Sequence, residues 1–325
     1  SSFSQKYDFE NAFVRKKFTQ AVGTKYRLIA LYLFTVADIR ATSDKVWNSW
    51  KAKLLENLFR LTIDQIKQKK TSSDNAHSFV ASKKKRAIKS LESLGFKPSV
   101  FRHLWNQLDY TYFFRYETSE IVWHTKSLLL NANKKLPLVK GMINRSIEGI
   151  DVFVFAKDRK ELFSQICGFF HNINLQIVDA KLYTSQENFA IDTFRLLKHD
   201  KASTIDIDKI EENLTEKIIL NRSIPYSKKQ ILSAQQRYLP IDPVVEFKPE
   251  GNGLFYYLNI ISADKPGLLH RISSLLAQND ITIQTAKINT LGGKVEDSFL
   301  IKGQILGNAQ KIMDLELLLL RLLKD

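Results

Sequence analysis

One cysteine, two methionines, seven prolines and twelve glycines in 325 residues leave several protein classes out. A single cysteine, Cys167, excludes an internal disulfide, and its place in the apolar pattern FSQICGFF predicts a buried thiol. That usage suits a reducing cytoplasm. No stretch approaches the roughly 20 apolar residues that a membrane-spanning helix requires; the run LIALYLFTVA reaches ten, so no membrane partner is expected. The opening residues SSFSQKY hold neither Met nor the apolar core of a signal peptide, which reads as a piece of something longer. The chain also lacks a phosphate-cradling G-x-x-x-x-G-K, a zinc spacing and any Ser/His/Asp order.

What is present is size, ordinary apolar content and positive charge. A length of 325 residues with 44% hydrophobic content suits two or three globular domains. The net charge of +15 is concentrated in IKQKK (66–70) and SKKKRAIK (82–89), which flank the polar TSSDNAHSF. Such runs are usually solvated, and we read this one as a mobile connection. Nucleic-acid modules interleave aromatics or glycines with basic residues. This segment offers one Phe, so no nucleic-acid partner is expected, although a basic nucleic-acid-binding fragment stands as an alternative function.

Residues 1–130 read as helical. In DFENAFVRKKFTQAVG, Phe9, Phe13, Phe18 and Val22 recur near helical spacing and Gly23 stops the helix. KYRLIALYLFTVADI is apolar nearly all round and predicts a helix buried in a bundle. SDKVWNSWKAKLLENLFRLTIDQIKQKK is amphipathic, with Trp47, Trp50, Leu54, Leu58 and Leu61 on one face and Ser43 or Asp44 as cap. Further helices are expected over AHSFVASKKKRAIKSLESLG, over SVFRHLWNQL after Pro98, and over SEIVWHTKSLLLN from Thr118 or Ser119.

After residue 135 the periodicity changes, and the same order of elements occurs twice. A shift of 106 carries Asp158 onto Asp264, Leu162 onto Leu268, Ile166 onto Ile272, Ala180 onto Ala286 and Thr184 onto Thr290. One deleted residue later, Asp192-Thr193-Phe194 falls on Asp297-Ser298-Phe299. Each copy begins with an extended segment, LVKGMI (138–143) or VVEFKP (244–249), and the second is joined to its next strand by the turn residues 250–253. Each unit therefore reads as a hairpin, a helix, two strands and a helix, a four-stranded antiparallel sheet with two helices on one face. The fold class is α+β: a helical region (1–130) and two ferredoxin-like ββαββα units (136–225 and 240–325).

Those units, with D-K-P-G-L-L at the first strand–helix junction of the second copy and Asn279 at the helix end, resemble the ACT domain, a ligand-binding regulatory module. The tandem pair preceded by TVADIRAT (35–42), WNSWK (47–51) and YFFRYETSEIVWHT (112–125) is similar to the C-terminal part of a larger family. That family comprises the bifunctional uridylyltransferase/uridylyl-removing enzymes of bacterial nitrogen control. The resemblance implies a parent enzyme with nucleotidyltransferase and HD-type hydrolase domains that use Mg or Mn, both incomplete here, with the helical region 1–130 as the tail of the HD-type domain plus a basic linker, and PII signal protein as partner. This chain is then inactive alone and holds no cofactor, and its effector is glutamine; a residual metal-dependent phosphohydrolase is a further alternative. Asp38 of TVADI matches the family's last metal-binding aspartate. One carboxylate cannot hold a divalent ion without other ligands, so Asp38 reads as a helix-surface residue. His199-Asp200 spells an HD dipeptide in a loop with no other His near it, and His124 of the W-H-T reads as a packing or hydrogen-bonding residue.

A helix start presents unpaired N–H groups and the positive dipole end, a fit for the carboxylate of a free amino acid. Gly267 lets that carboxylate approach, Pro266 fixes the entering backbone, Leu268 is counted with them among the effector-binding residues, and Asp264 suits the ligand's ammonium or caps the helix. Asn279 offers donor and acceptor to the side-chain amide of glutamine, directly or across an interface between two units, or simply ends the helix. The first copy departs at both places, with Glu161 for the glycine and Ile173 for the asparagine, so the primary site is expected in the second. The lever toward the missing domains is expected in 66–90 and the helix at 119–131. The apolar run LELLLLRLLK packs between the two units or makes a homodimer contact.

Overall fold

The computed structural model describes residues 18–42, 49–67, 75–133, 135–145, 149–198, 206–221, 241–250, 253–291 and 294–324. Among the described residues, 18–22 are helical, and helices α1 (Lys25–Thr42), α2 (Ser49–Lys67), α3 (Asn75–Ser93), α4 (Pro98–Asn106), α5 (Tyr110–Arg115) and α6 (Thr118–Leu130) follow. Their ends follow local chemistry. Gly95 takes φ +88° after α3, Pro98 opens α4, and the Asp109 carboxylate accepts from the amides of Thr111 (2.8 Å) and Tyr112 (3.2 Å) to cap α5. Glu117 and Glu120 form a capping box at the start of α6.

Two sequence readings need correction here. Helix α1 forms, but only part of it is buried: Leu28 is 2% exposed, whereas Tyr26 and Phe34 are 84% and 76% exposed. Apolar composition supplies the drive to bury a face; it does not supply the partner. On one side α1 packs along α2, where Tyr32 and Phe59 rings lie 4.8 Å apart. The basic run 82–89 is not a solvated connection either, because it lies within α3. Lys83 is buried, donating to the carbonyls of Tyr116 (2.7 Å) and Phe114 (3.2 Å), and Lys84 sits 3.9 Å from the Phe113 ring centre. Helical periodicity placed these two lysines against α5 rather than in water. Ser43, Asp44, Trp47 and the 199–200 dipeptide lie outside the described residues.

The strands follow as β1 (Leu138–Asn144), β2 (Gly149–Lys157), β3 (Leu175–Lys181), β4 (Phe189–Lys198), β5 (Val244–Glu250), β6 (Phe255–Ala263), β7 (Thr282–Lys287), β8 (Thr290–Leu291) and β9 (Lys294–Lys302). Helices α7 (Leu162–Asn172) and α8 (Ile207–Leu220) belong to the first unit, and α9 (Leu268–Gln278) and α10 (Ala309–Lys324) to the second. Each unit has the expected order, hairpin, helix, two strands, helix. The units then join edge to edge in one antiparallel sheet, β1-β2-β4-β3-β7-β9-β6-β5, with β8 paired to β9. One core runs beneath both, including Phe170, Phe194 and Leu196 of the first and Leu276, Phe299 and Ile301 of the second.

The opposite face of the first unit carries the helical region. Val152 and Val154 of β2 point into the shared core, while Phe153 between them packs with Tyr112, Phe113 and Ile121. A strand buried on both faces explains why IDVFVFA is apolar almost throughout. Helix α10 packs on β5 and α9 of its own unit through Leu315, Leu319 and Leu323, so it does not lie between the units. Met313 and Leu317 remain exposed on its outer side.

Candidate functional site

The seam between the units is a local two-fold. Ala180 lies opposite Ala286, its own repeat equivalent, flanked by Asp179 opposite Lys287 and Lys181 opposite Thr285. The amide of Leu182 donates to Gln284 O (2.9 Å) and that of Ile288 to Val178 O (3.2 Å), two bonds that interchange under the 106-residue shift. On the helix side, Ser164 and His270 are also equivalent, and His270 Nδ1 lies 2.7 Å from Ser164 O. The repeat read from sequence is thus a pseudo-dimer within one chain.

The DKPGLL loop connects β6 to α9. Gly267 has φ 65° and ψ 14°, a left-handed conformation that glycine adopts freely. Two residues before it the loop is anchored: Lys265 Nζ donates to the carbonyls of Leu323 (2.8 Å) and Lys324 (2.9 Å) at the end of α10. Leu268 is buried in the shared core, and its N–H donates to Lys265 O (3.1 Å). Leu268 therefore fixes the helix start through packing and a turn bond. Asn279 closes the far end of α9, its Nδ2 donating to Leu275 O (2.9 Å). The eleven residues between correspond to about 16 Å of helix, too far for one amino acid to span. The structure so groups Asp264, Pro266, Gly267 and Leu268, and sets Asn279 apart.

Position 161 tests what glycine contributes. Glu161 starts α7 with φ 66° and ψ 3°, nearly the backbone of Gly267, although a side chain there costs about 1 kcal/mol. Side chains of the first loop are also engaged with the protein. Asp158 accepts from Thr184 Oγ1 (2.6 Å), Arg159 donates to Asn221 Oδ1 (2.8 Å) and Ile218 O (3.0 Å), and Lys160 pairs with Asp280 across the seam (3.0 Å). The repeat equivalents of that last pair are Pro266 and Asn174, which can form no ion pair.

Beneath each loop lies a carboxylate that was not singled out from sequence as a site residue. Asp297 is buried and accepts from Asn289 N (3.3 Å), and Asp192 accepts from Tyr183 N (3.3 Å). Burial, then the charge of Asp264, raises Asp297 well above the usual carboxylate range; burial and Asp158 do the same for Asp192. The alignment of Asp192-Thr193-Phe194 with Asp297-Ser298-Phe299 was the signal for the pair. Because both copies keep it, it belongs to the fold of the loop rather than to one ligand.

His124 is buried between Tyr112 OH (2.9 Å from Nδ1) and Thr193 Oγ1 (2.9 Å from Nε2), stacked on Phe153 at 4.3 Å. Burial pushes its pKa down to about 3, so it is a neutral packing residue, as its sequence context suggested. Asp38 is exposed on α1, and among the described residues no group of three or more His, Cys, Asp or Glu can hold a metal ion. No helix among them is long and apolar enough to cross a membrane.

Comparison with known proteins agrees with this geometry. The family model "Uridylyltransferase GlnD fifth domain" matches residues 75–127, which cover α3 to most of α6, and the ACT domain model matches 256–310. A bifunctional uridylyltransferase/uridylyl-removing enzyme of Cupriavidus metallidurans is 39% identical over 305 residues, covering 93% of this chain and 35% of its own length. The chain is homologous to the bifunctional uridylyltransferase/uridylyl-removing enzymes. Relatives of the same name from Aromatoleum aromaticum (39% over 324 residues) and Nitrosospira multiformis (35% over 326 residues) cover 97% and 99% of the chain. The chain spans 36% of the length of each of those two relatives.

Proposed function

We propose that the chain is the glutamine-sensing part of an enzyme that adds UMP to, and removes it from, PII signal proteins in the bacterial cytoplasm. The units 136–225 and 240–325 act as paired ACT domains, and the helical region 1–130 links them to nucleotidyltransferase and HD domains that use Mg or Mn. In this reading the second unit binds glutamine, with Gly267 admitting the α-carboxylate to the start of α9, Pro266 shaping the approach and Asp264 receiving the ammonium. Leu268 borders the bound effector at the same helix start, and Asn279, at the far end of α9, meets the side-chain amide of glutamine across an interface between two units. Asp38 serves a metal only in company with ligands from outside the described residues. Bound glutamine favours removal over transfer because it binds one arrangement of the domains more tightly than the other.

The observation that carries this reading is the contrast at equivalent positions 161 and 267. The backbone is the same, yet one start bears a carboxylate over a loop engaged with the protein and the other bears no side chain. Titration calorimetry of glutamine against the wild-type chain and Gly267→Glu tests it. Glu161 shows that the backbone holds a glutamate there, so the variant should fold. We expect its affinity to fall at least about tenfold, from like-charge repulsion and lost access. Unchanged affinity rejects the assignment.

A further inference from the structure

The two ACT units meet over a short seam: β3 and β7 share three residue pairs, whereas β2 and β4 share nine. On the face opposite α7 and α9, the last residue of α5 closes that seam. Arg115 is buried; one of its Nη atoms donates to the carbonyl of Leu182 in the first unit and to that of Gln284 in the second (3.3 Å). Its other Nη reaches Gln284 Oε1 at 3.4 Å. The next residues hold the first unit alone. The Tyr116 hydroxyl bonds with the carbonyls of Lys181 and Ile191, and Glu120 of α6 pairs with Lys181 Nζ at 3.0 Å. Lys83 of α3 then fixes Tyr116 from behind through its carbonyl (2.7 Å).

We propose that Arg115 is a positioning residue that couples the α5–α6 segment to the register of the two ACT units. A guanidinium carries five donors in a rigid fork, so it can bond carbonyls of two strands only while they stay in one alignment. A slide or rotation of β7 against β3 parts Gln284 from Arg115 and strands a desolvated donor or acceptor, which is unfavourable. The second unit can pass a movement this way because α9 lies against both β7 and α7. The helical region thus reads whether the pair is set, independently of which ligand sets it.

Hydrogen exchange by mass spectrometry on the 325-residue chain without ligand tests the coupling. In Arg115→Met, amides of 282–288 should exchange at least about fivefold faster, the lower end of ordinary coupling, while those of 150–157 stay unchanged. Gln284→Ala, a half-buried change in the other unit, should speed exchange in 110–130 by a similar factor and covers the case that Arg115→Met does not fold. If neither variant alters exchange across the seam, the coupling is refuted. Adding glutamine separates this from the sensor reading. Cross-seam effects without calorimetric glutamine binding leave the coupling standing and remove the sensor, whereas glutamine binding without cross-seam effects does the reverse.

Discussion

The two ACT units share an interior and differ on their outer faces. Phe194 and Phe299 are equivalent and both fully buried, as are Ile166 and Ile272. Outside, Phe153, Arg195 and Asp151 of the first unit have Asn259, Leu300 and Tyr257 as counterparts. The first set meets α6: Phe153 stacks on His124, and Arg195 joins Asp151 (3.0 Å), Asp179 (3.5 Å) and Glu120 (3.9 Å). The second set is a different network, in which Ser298 donates to Asn259 Oδ1 (2.8 Å) and Tyr257 packs on Leu300. The inner face of a repeat is dictated by its fold, and the outer face by what it meets.

The strongest test of the shared interior is truncation. Phe194→Ala and Phe299→Ala should each cost about 3–5 kcal/mol in chemical denaturation. Costs differing by more than about 2 kcal/mol would show that the repeats are not packed alike.

Acid should separate the outer faces. His124 has no buried histidine equivalent in the second unit, and its pKa is pushed from 6.5 down to about 3. Below pH 6.5 the unfolded chain binds a proton that the folded chain refuses, so stability falls with pH until about 3, by up to about 1.4 kcal/mol per unit. Asp192 and Asp297 work in the opposite direction, since a raised carboxylate regains stability on protonation. They do so in both units, so exchange in 110–130 should accelerate ahead of that in 268–278 between pH 6 and 4. Replacing His124 by Gln should flatten the difference.

The smallest effect belongs to the loops. Glu161→Gly relieves a left-handed glutamate and should stabilise the fold by up to about 1 kcal/mol without changing glutamine affinity. Any new affinity would mean that the side chain alone closes the first loop. That would contradict the roles given to Thr184, Arg159 and Lys160.

Much of the architecture was legible because periodicity and end signals are local. The repeat, the two helix starts and the break at Gly95 all appear in the sequence at the residues where the structure has them. The site was half legible. D-K-P-G-L-L marks a helix entry and Asn279 the end of that helix, but nothing along the chain says that Lys160 crosses to Asp280. Lys83 was misread for a related reason: a lysine in a basic run is ordinarily hydrated, and only the two carbonyls presented by α5 and its following turn make burial favourable.

By itself the sequence determined where helices begin and that one unit is used twice, because those depend on spacings within a few residues. Tertiary structure alone decided that the units join through Ala180 and Ala286, that helices cover the outer face of the first, and that Arg115 spans the seam. Contacts between residues more than a hundred positions apart leave no periodic trace, and they exist only once both strands and the helix above them have been placed.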